Sequence, residues 1–385
     1  MNRILTLIVV AQFLATSLWF AGNAVIVELS AARSFPADFI GHLTSSVQLG
    51  FICGTLAFAI FMISDRFSPS KVFLFSALFA ALLNACVAFF EIGLWAVLSL
   101  RFSTGFFLAG IYPVGMKIAS DYFDKGLGKS LGLLVGALVL GTAFPHLLRS
   151  LLQEFPWQWV LYTSSAFAVL GGLLIGLRVP DGPYRKASSA IDFKILFKLF
   201  QVPNFRAAAM GYFGHMWELY TFWAFIPMML TAYIVKHQTT ADISFISFAV
   251  IGIGGLSCAA AGLFSNVIHP KKIAQLALAC SGICCLLSPF FFFQSSLPIL
   301  IVFLLIWGIA VTADSPMFST LVAQSAPAAS KGTALTIVNS LGFGITVISL
   351  QLTQLLALHI TGIYWLLLLG LGPVIGLMTF SSFRK

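Results

Sequence analysis

Two short polar segments about two hundred residues apart interrupt an otherwise apolar chain: Ser64-Asp65-Arg66-Phe67-Ser68-Pro69-Ser70-Lys71 and Ser265-Asn266-Val267-Ile268-His269-Pro270-Lys271-Lys272. Ser, Pro and Lys keep one offset between the two copies (64 to 265, 69 to 270, 71 to 272). A second echo runs from Pro113 to Gly128-Lys129-Ser130-Leu131 and from Pro316 to Gly332-Thr333-Ala334-Leu335. Repetition at this spacing, with long apolar runs on either side of each loop, restricts the chain to two related halves embedded in a bilayer.

Composition closes off the soluble alternatives. Hydrophobic residues make up 59% of the 385 and charged residues 9%, against roughly a quarter charged in a soluble domain. Cys53, Cys86, Cys258, Cys280, Cys284 and Cys285 all fall inside apolar runs. They are expected to pack rather than to form disulfides or a metal site, and no metal or cofactor is implied.

Apolar runs of about 20 residues, the length a helix needs to cross the hydrocarbon, number twelve. They lie near 4–27, 39–63, 72–90, 93–118, 129–152, 157–177, 205–234, 242–266, 273–293, 297–322, 332–356 and 360–381. With the amino terminus inside, only Arg33, Arg149 and Lys236 of the 21 Lys and Arg fall outside, and Arg101 falls within a span. The net charge of +9 is thus a topology signal rather than a nucleic-acid surface, and both termini are expected in the cytoplasm. The start of the chain also resembles a signal peptide ending at Ala21-Gly22-Asn23-Ala24. Removing it would leave unequal halves, so it is read as the first span. Trp95, Trp157, Trp159 and Trp365 are expected at the outer headgroup level.

The organisation is a six-helix bundle over 1–177, a cytoplasmic linker over 178–203 and a second six-helix bundle over 204–385, an all-α membrane fold. The linker opens with Pro180-Asp181-Gly182-Pro183, which a helix does not readily continue. Beyond it Phe193, Leu196, Phe197 and Phe200 share one helical face and Lys194, Lys198 and Gln201 another, as in a helix lying on the membrane surface.

These features together resemble the major facilitator superfamily (MFS). Asp65-Arg66 and Lys71 match that family's loop motif between the second and third helices, although Phe61 and Ser68 stand where glycines are usual. Arg101 with Gly105 and Gly110 resembles its Arg-x-x-x-Gly pattern in the fourth helix. Gly132, Gly141 and Pro145 match only part of its antiporter motif. The resemblance implies twelve helices in two pseudo-symmetric bundles and solute transport by alternating access. It also implies an ion-pair latch at Asp65 and Arg66 that breaks when the inner gate opens; Asn266 replaces the aspartate in the second copy, so the latch is one-sided.

Ionisable groups inside apolar spans are costly and mark function by default. Here they are Arg101 in the fourth span, His215 and Glu218 in the seventh and Asp314 in the tenth. Gly211, Gly214, His215 and Glu218 share one helical face, so the glycines are expected to open space beside an acid and a base that take up and release a proton, with Arg101 modulating them or attracting an anion. Asp314, beside Ser315-Pro316 in the cytoplasmic third, is expected to gate. Trp19, Asn23, Gln48, Tyr112, Trp217, Tyr220 and Asn339, with Thr44 and Thr336, are expected to line a small cavity for a polar organic solute.

The expected function is a proton-coupled secondary transporter of a small organic solute or organic anion in the cytoplasmic (inner) membrane, acting as a monomer. Proton-driven efflux of lipophilic compounds is the alternative within that class, and a membrane sensor or scaffold the alternative outside it. No phosphate loop is present for an ATP-driven motor, and no nucleophile or zinc motif marks an enzyme.

Overall fold

The computed structural model describes residues 3–36, 38–123, 127–185, 194–294, 296–327 and 330–383. Lys125, Lys186, Phe193, Arg384 and Lys385, each used in the charge or linker reading above, lie outside the described residues. The chain divides into two compact units, Met1–Ala190 and Ile191–Lys385.

The first unit contains α1 (Arg3–Thr16), α2 (Ile26–Arg33), α3 (Phe39–Ile60), α4 (Ile63–Arg66), α5 (Pro69–Phe89), α6 (Leu94–Leu108), α7 (Tyr112–Tyr122), α8 (Leu127–Leu151) and α9 (Gln158–Arg178). The second contains α10 (Lys194–Gln201), α11 (Pro203–His237), α12 (Ile243–Phe264), α13 (Pro270–Gln294), α14 (Leu297–Ala313), α15 (Ser315–Ser325), α16 (Lys331–His359), a 3-10 segment Tyr364–Gly370 and α17 (Leu371–Phe380). Proline opens α5, α11 and α13, where its missing N–H would have had no partner in any case. Asp242 caps α12 by accepting from the Phe245 N–H at 2.9 Å.

Ten helices among the described residues are long and apolar enough to cross a membrane, five in each unit. The remaining two spans are broken. The first stops at Thr16 and resumes only through a 3-10 turn at Asn23–Val25; the last is the 3-10 segment followed by α17. Each long helix buries one side and leaves the other apolar. Leu276, Ile283, Leu286 and Phe290 of α13, for example, are all exposed, a stripe that water would penalise and lipid does not.

The duplication is visible in the packing. α3 lies on α6 as α12 lies on α14, α1 on α8 and α9 as α11 on α16 and α17, and α5 on α9 as α13 on α17. A Cβ on Gly105 would stand 2.1 Å from the Val47 carbonyl oxygen, and one on Gly308 would stand 2.2 Å from that of Val250. Both pairs are related by the same offset that relates Pro113 to Pro316. Only glycine lets the helices approach this closely, the usual device where no hydrophobic effect drives helices together.

Three expectations need correction. Trp95 and Trp159 are exposed, but Trp157 and Trp365 are buried within their units; Trp365 packs on Phe225 instead of facing headgroups. Among the described side chains of α10, Leu199, which lies outside the expected apolar face, is buried, and the Phe200 ring lies 5.4 Å from that of Phe205. Phe197 points away, 77% exposed. Finally, Gly211 and Gly214 open no space: a Cβ on Gly211 would strike the Phe318 ring at 2.4 Å, and one on Gly214 the Gly372 carbonyl oxygen at 2.4 Å. Gly214 lets α11 and α17 touch backbone to backbone, and Gly211 seats the Phe318 ring of α15.

Candidate functional site

Among the described residues of the first unit the buried ionisable groups include Arg101, Asp121 and His146, and Arg101 makes the contacts that matter most for the fold. Arg101 is fully buried, and no carboxylate lies within ion-pair distance of it among the described residues. Its Nη1 donates to Asn84 Oδ1 at 2.7 Å, and its Nη2 donates to the carbonyls of Leu18 (3.0 Å) and Trp19 (2.7 Å). Those carbonyls belong to the break in the first span, where the helical ladder has released them. The rigid guanidinium fork thus replaces lost backbone hydrogen bonds, which hydrocarbon would not supply. Arg101 Nε has no hydrogen-bond partner among the described residues.

Around the break, Trp19 is buried with its ring 4.8 Å from Phe51. Asn23 Nδ2 donates to Thr44 Oγ1 at 2.7 Å, while Asn23 Oδ1 and both amide atoms of Gln48 and of Gln12 have no hydrogen-bond partner among the described residues. Tyr112, which opens α7, is half-buried. Gln12 was not singled out by the sequence, nor was Asn84, although an amide in an apolar run is the same kind of signal that drew attention to Arg101.

Near one end of this unit Asp65 pairs with Lys117 Nζ at 2.8 Å, and Arg66 is exposed. Arg185 donates from Nη2 to the Asp65 and Phe67 carbonyls and pairs through Nη1 with Asp181. Ser68 donates to the other oxygen of Asp181 at 2.6 Å. Asp65 is thus joined to Lys117 of the fourth span, an ion pair between helices, and Arg185 at the start of the linker straps over it. Lys117, Asp181 and Arg185 escaped the sequence reading because charges at helix ends and in loops are ordinary.

The second unit carries acids. Glu218 of α11 is fully buried. Its Oε1 accepts from the Trp307 indole N–H at 2.6 Å and from the Cys285 thiol at 3.3 Å, and its Oε2 accepts from the Ser281 hydroxyl at 2.9 Å. Trp307 is held in place by Phe222, stacked at 4.5 Å, and by Phe303. Cys285 is therefore more than a packing residue. One turn earlier, His215 Nδ1 stands 2.8 Å from Asp314 Oδ1, both groups buried. His215 Nε2 and Asp314 Oδ2 have no hydrogen-bond partner among the described residues. His215 thus joins Asp314 rather than Glu218. Asp314 sits at the junction of α14 and α15, where Pro316 interrupts the ladder.

The remaining expected residues of this unit have specific places. Trp217 Nε1 donates to the Leu368 carbonyl at 3.0 Å, tying α11 to the 3-10 segment of the last span. Tyr220 is buried, its ring 5.2 Å from both Trp223 and Phe343. Asn339 is half-buried on α16. Glu218, His215 and Asp314 are brought into one neighbourhood; Trp217, Tyr220 and Asn339 flank it on α11 and α16.

Two six-span helical units with the same internal packing, broken first and last spans and a few ionisable groups buried inside apolar helices define a multi-pass membrane protein of transporter type. The family model of the Major Facilitator Superfamily matches residues 8–350, and the chain belongs to that family of membrane transporters. Among solved structures, the nucleoside transporter NupG aligns with a TM-score of 0.75 at 14% identity, covering 99% of this chain and 100% of that one. The human organic anion transporter MFSD10 (TETRAN) aligns at 0.70 and 18% identity over 100% and 99%. The proton:xylose symporter XylE aligns at 0.76 and 13% over 100% and 96%. At these identities the likeness is one of fold. A sequence comparison with curated proteins finds no match.

Proposed function

We propose that the protein is a proton-coupled secondary transporter that moves a small polar organic solute across the cytoplasmic membrane by alternating access, with both termini inside. The observation that supports this best is the Glu218 carboxyl. It is fully buried in a span, with neutral donors on both oxygens and no cation at ion-pair distance among the described residues. A carboxylate kept for architecture in a low dielectric needs a guanidinium or ammonium partner. One held by neutral groups can gain or lose a proton without leaving an uncompensated countercharge.

The His215–Asp314 pair adds a second exchangeable group, and we assign Asp314 to coupling with His215 rather than to a gate. Arg101 keeps its charge at any working pH and has its fork committed to the first span, so its assigned role is to hold that break and supply a fixed positive charge. Asp65, with Lys117 and Arg185, forms the latch that opens with the inner gate; Arg66 supplies charge beside it. Open hydrogen-bonding capacity on Gln12, Gln48 and Asn23 favours a polar solute over a lipophilic one, and the nucleoside, organic anion and xylose named for the similar structures are polar too.

The deciding experiment records the internal pH of proteoliposomes on adding amino acids, organic acids, sugars, nucleosides or lipophilic cations. Solute-dependent proton movement that is lost in Glu218→Gln is the expected result. Full proton coupling in that variant would overturn the assignment of Glu218, and a response only to lipophilic cations would replace solute uptake by efflux.

A further inference from the structure

We infer that Ser281 is a positioning residue that lets Glu218 exist in both protonation states without rearrangement, and that the exchangeable proton resides on Oε2. The inference rests on the proposed role of Glu218 and names the group that makes that role workable.

Ser281 Oγ carries one hydrogen and stands beside two acceptors, Glu218 Oε2 at 2.9 Å and the Leu278 carbonyl at 3.1 Å. When Glu218 is ionised, the hydroxyl donates to Oε2. When a proton arrives on Oε2, the new O–H donates to Ser281 Oγ, and the hydroxyl hydrogen swings to the Leu278 carbonyl. One proton has been added, one rotor has turned, and every polar atom is satisfied in both states. A hydroxyl can do this because it both donates and accepts.

Oε1 is already engaged by two donors. The indole N–H of Trp307 can only donate, it approaches to 2.6 Å, and Phe222 and Phe303 hold the ring so that it cannot turn aside. A hydrogen on Oε1 would have to compete for the lone-pair directions that this N–H and the Cys285 thiol already use. Cys285 Sγ occupies the same oxygen at 3.3 Å.

The titratable groups facing Glu218 from neighbouring elements are Cys284 and Cys285 of α13 and Asp314 at the α14–α15 junction, the last paired to His215. From α12 the one titratable side chain is Cys258, which donates to the Thr312 carbonyl. α15 and α17 contain none, and Lys331 and His359 lie at the two ends of α16. None supplies a counter-cation at Oε2, so the hydroxyl is the partner that must change role with the proton.

The test compares full-length wild type, Ser281→Ala, Ser281→Thr and Glu218→Gln in proteoliposomes by two readouts. These are the pH profile of solute-driven proton flux and the infrared band of the protonated Glu218 carboxyl, identified by its loss in Glu218→Gln. Ser281→Ala should retain solute exchange, lose about tenfold in coupled proton flux, the factor a single ordinary hydrogen bond accounts for, and shift the carboxyl band toward that of an acid without an acceptor. Ser281→Thr should restore both. An alanine variant with the wild-type pH profile and band, or a threonine variant with the alanine defect, overturns the inference. If Ser281→Ala does not reconstitute, the wild-type band decides: a frequency typical of a carboxyl that donates to nothing also overturns it. Proton flux that survives in Glu218→Gln would instead defeat the proposed function, and the band would still report whether Oε2 and Ser281 are partners.

Discussion

Two buried polar centres, built at comparable places in two copies of one scaffold, use opposite chemistry. The glycine contacts at Gly105 and Gly308 put α6 and α14 in the same register. In that register Arg101 corresponds to Leu304, and Thr104 corresponds to Trp307. The first unit has a permanent cation satisfied by two carbonyls and an amide. The second has one acid that accepts from an indole, a hydroxyl and a thiol and another that stands beside an imidazole. A guanidinium does not titrate in a protein, whereas a carboxyl among neutral donors can. The duplication therefore supplied the frame, and divergence left one half with a buried guanidinium and the other with buried carboxyls.

The sharpest way to break this comparison is at Arg101. Arg101→Leu, which copies the residue of the second unit, should leave Asn84 Oδ1 and the Leu18 and Trp19 carbonyls unpaired in the core. Each orphaned group costs about 1–3 kcal/mol, so the variant should lose most of its folded yield and melt at a clearly lower temperature in detergent. Arg101→Lys should recover part of the loss, since an ammonium lacks the planar fork. A leucine variant as stable as wild type would mean that the break in the first span stands without the guanidinium.

Next in size are the glycine contacts. Gly105→Val and Gly308→Val both force a side chain into a backbone carbonyl, and each should destabilise by several kcal/mol, in the range of severe overpacking. Thermal melts of the two variants should fall by similar amounts; a large effect in one half alone would show that the scaffolds are not equivalent.

Smaller in stability but larger in function is Asp314→Asn. Its asparagine can still meet His215, so melting should change little, while coupled proton flux in proteoliposomes should fall about tenfold or more if the pair exchanges a proton. Flux equal to wild type would confine coupling to Glu218. The smallest effect is expected at Trp217→Phe, which removes one hydrogen bond to the Leu368 carbonyl. A loss of about 1 kcal/mol, with unchanged solute specificity, would assign Trp217 to anchoring the broken last span and not to the cavity.

Legibility followed chemistry. Arg101, His215, Glu218 and Asp314 stood out because a charge in an apolar run has no inexpensive explanation. Their partners did not, because Ser281, Cys285 and Trp307 are the residues that membrane helices use everywhere for packing. The pairing of His215 was also misjudged. On one helical face it sits beside Glu218, but side chains one turn apart need not face each other when other helices offer a better partner, and Asp314 comes from nearly a hundred residues away. The glycines beside these groups were read as space, whereas Phe318 of α15 fills it at Gly211 and α17 fills it at Gly214.

From sequence alone came the duplication, the membrane, the all-helical class and the buried groups able to carry charge, because these rest on composition, repeat spacing and the length of hydrocarbon to be crossed. Tertiary structure decided which donor met which acceptor, where the first and last spans broke, and which neutral donors surround the Glu218 carboxyl. Those outcomes depend on distances of a few ångströms between helices far apart in the chain, and no local pattern encodes them.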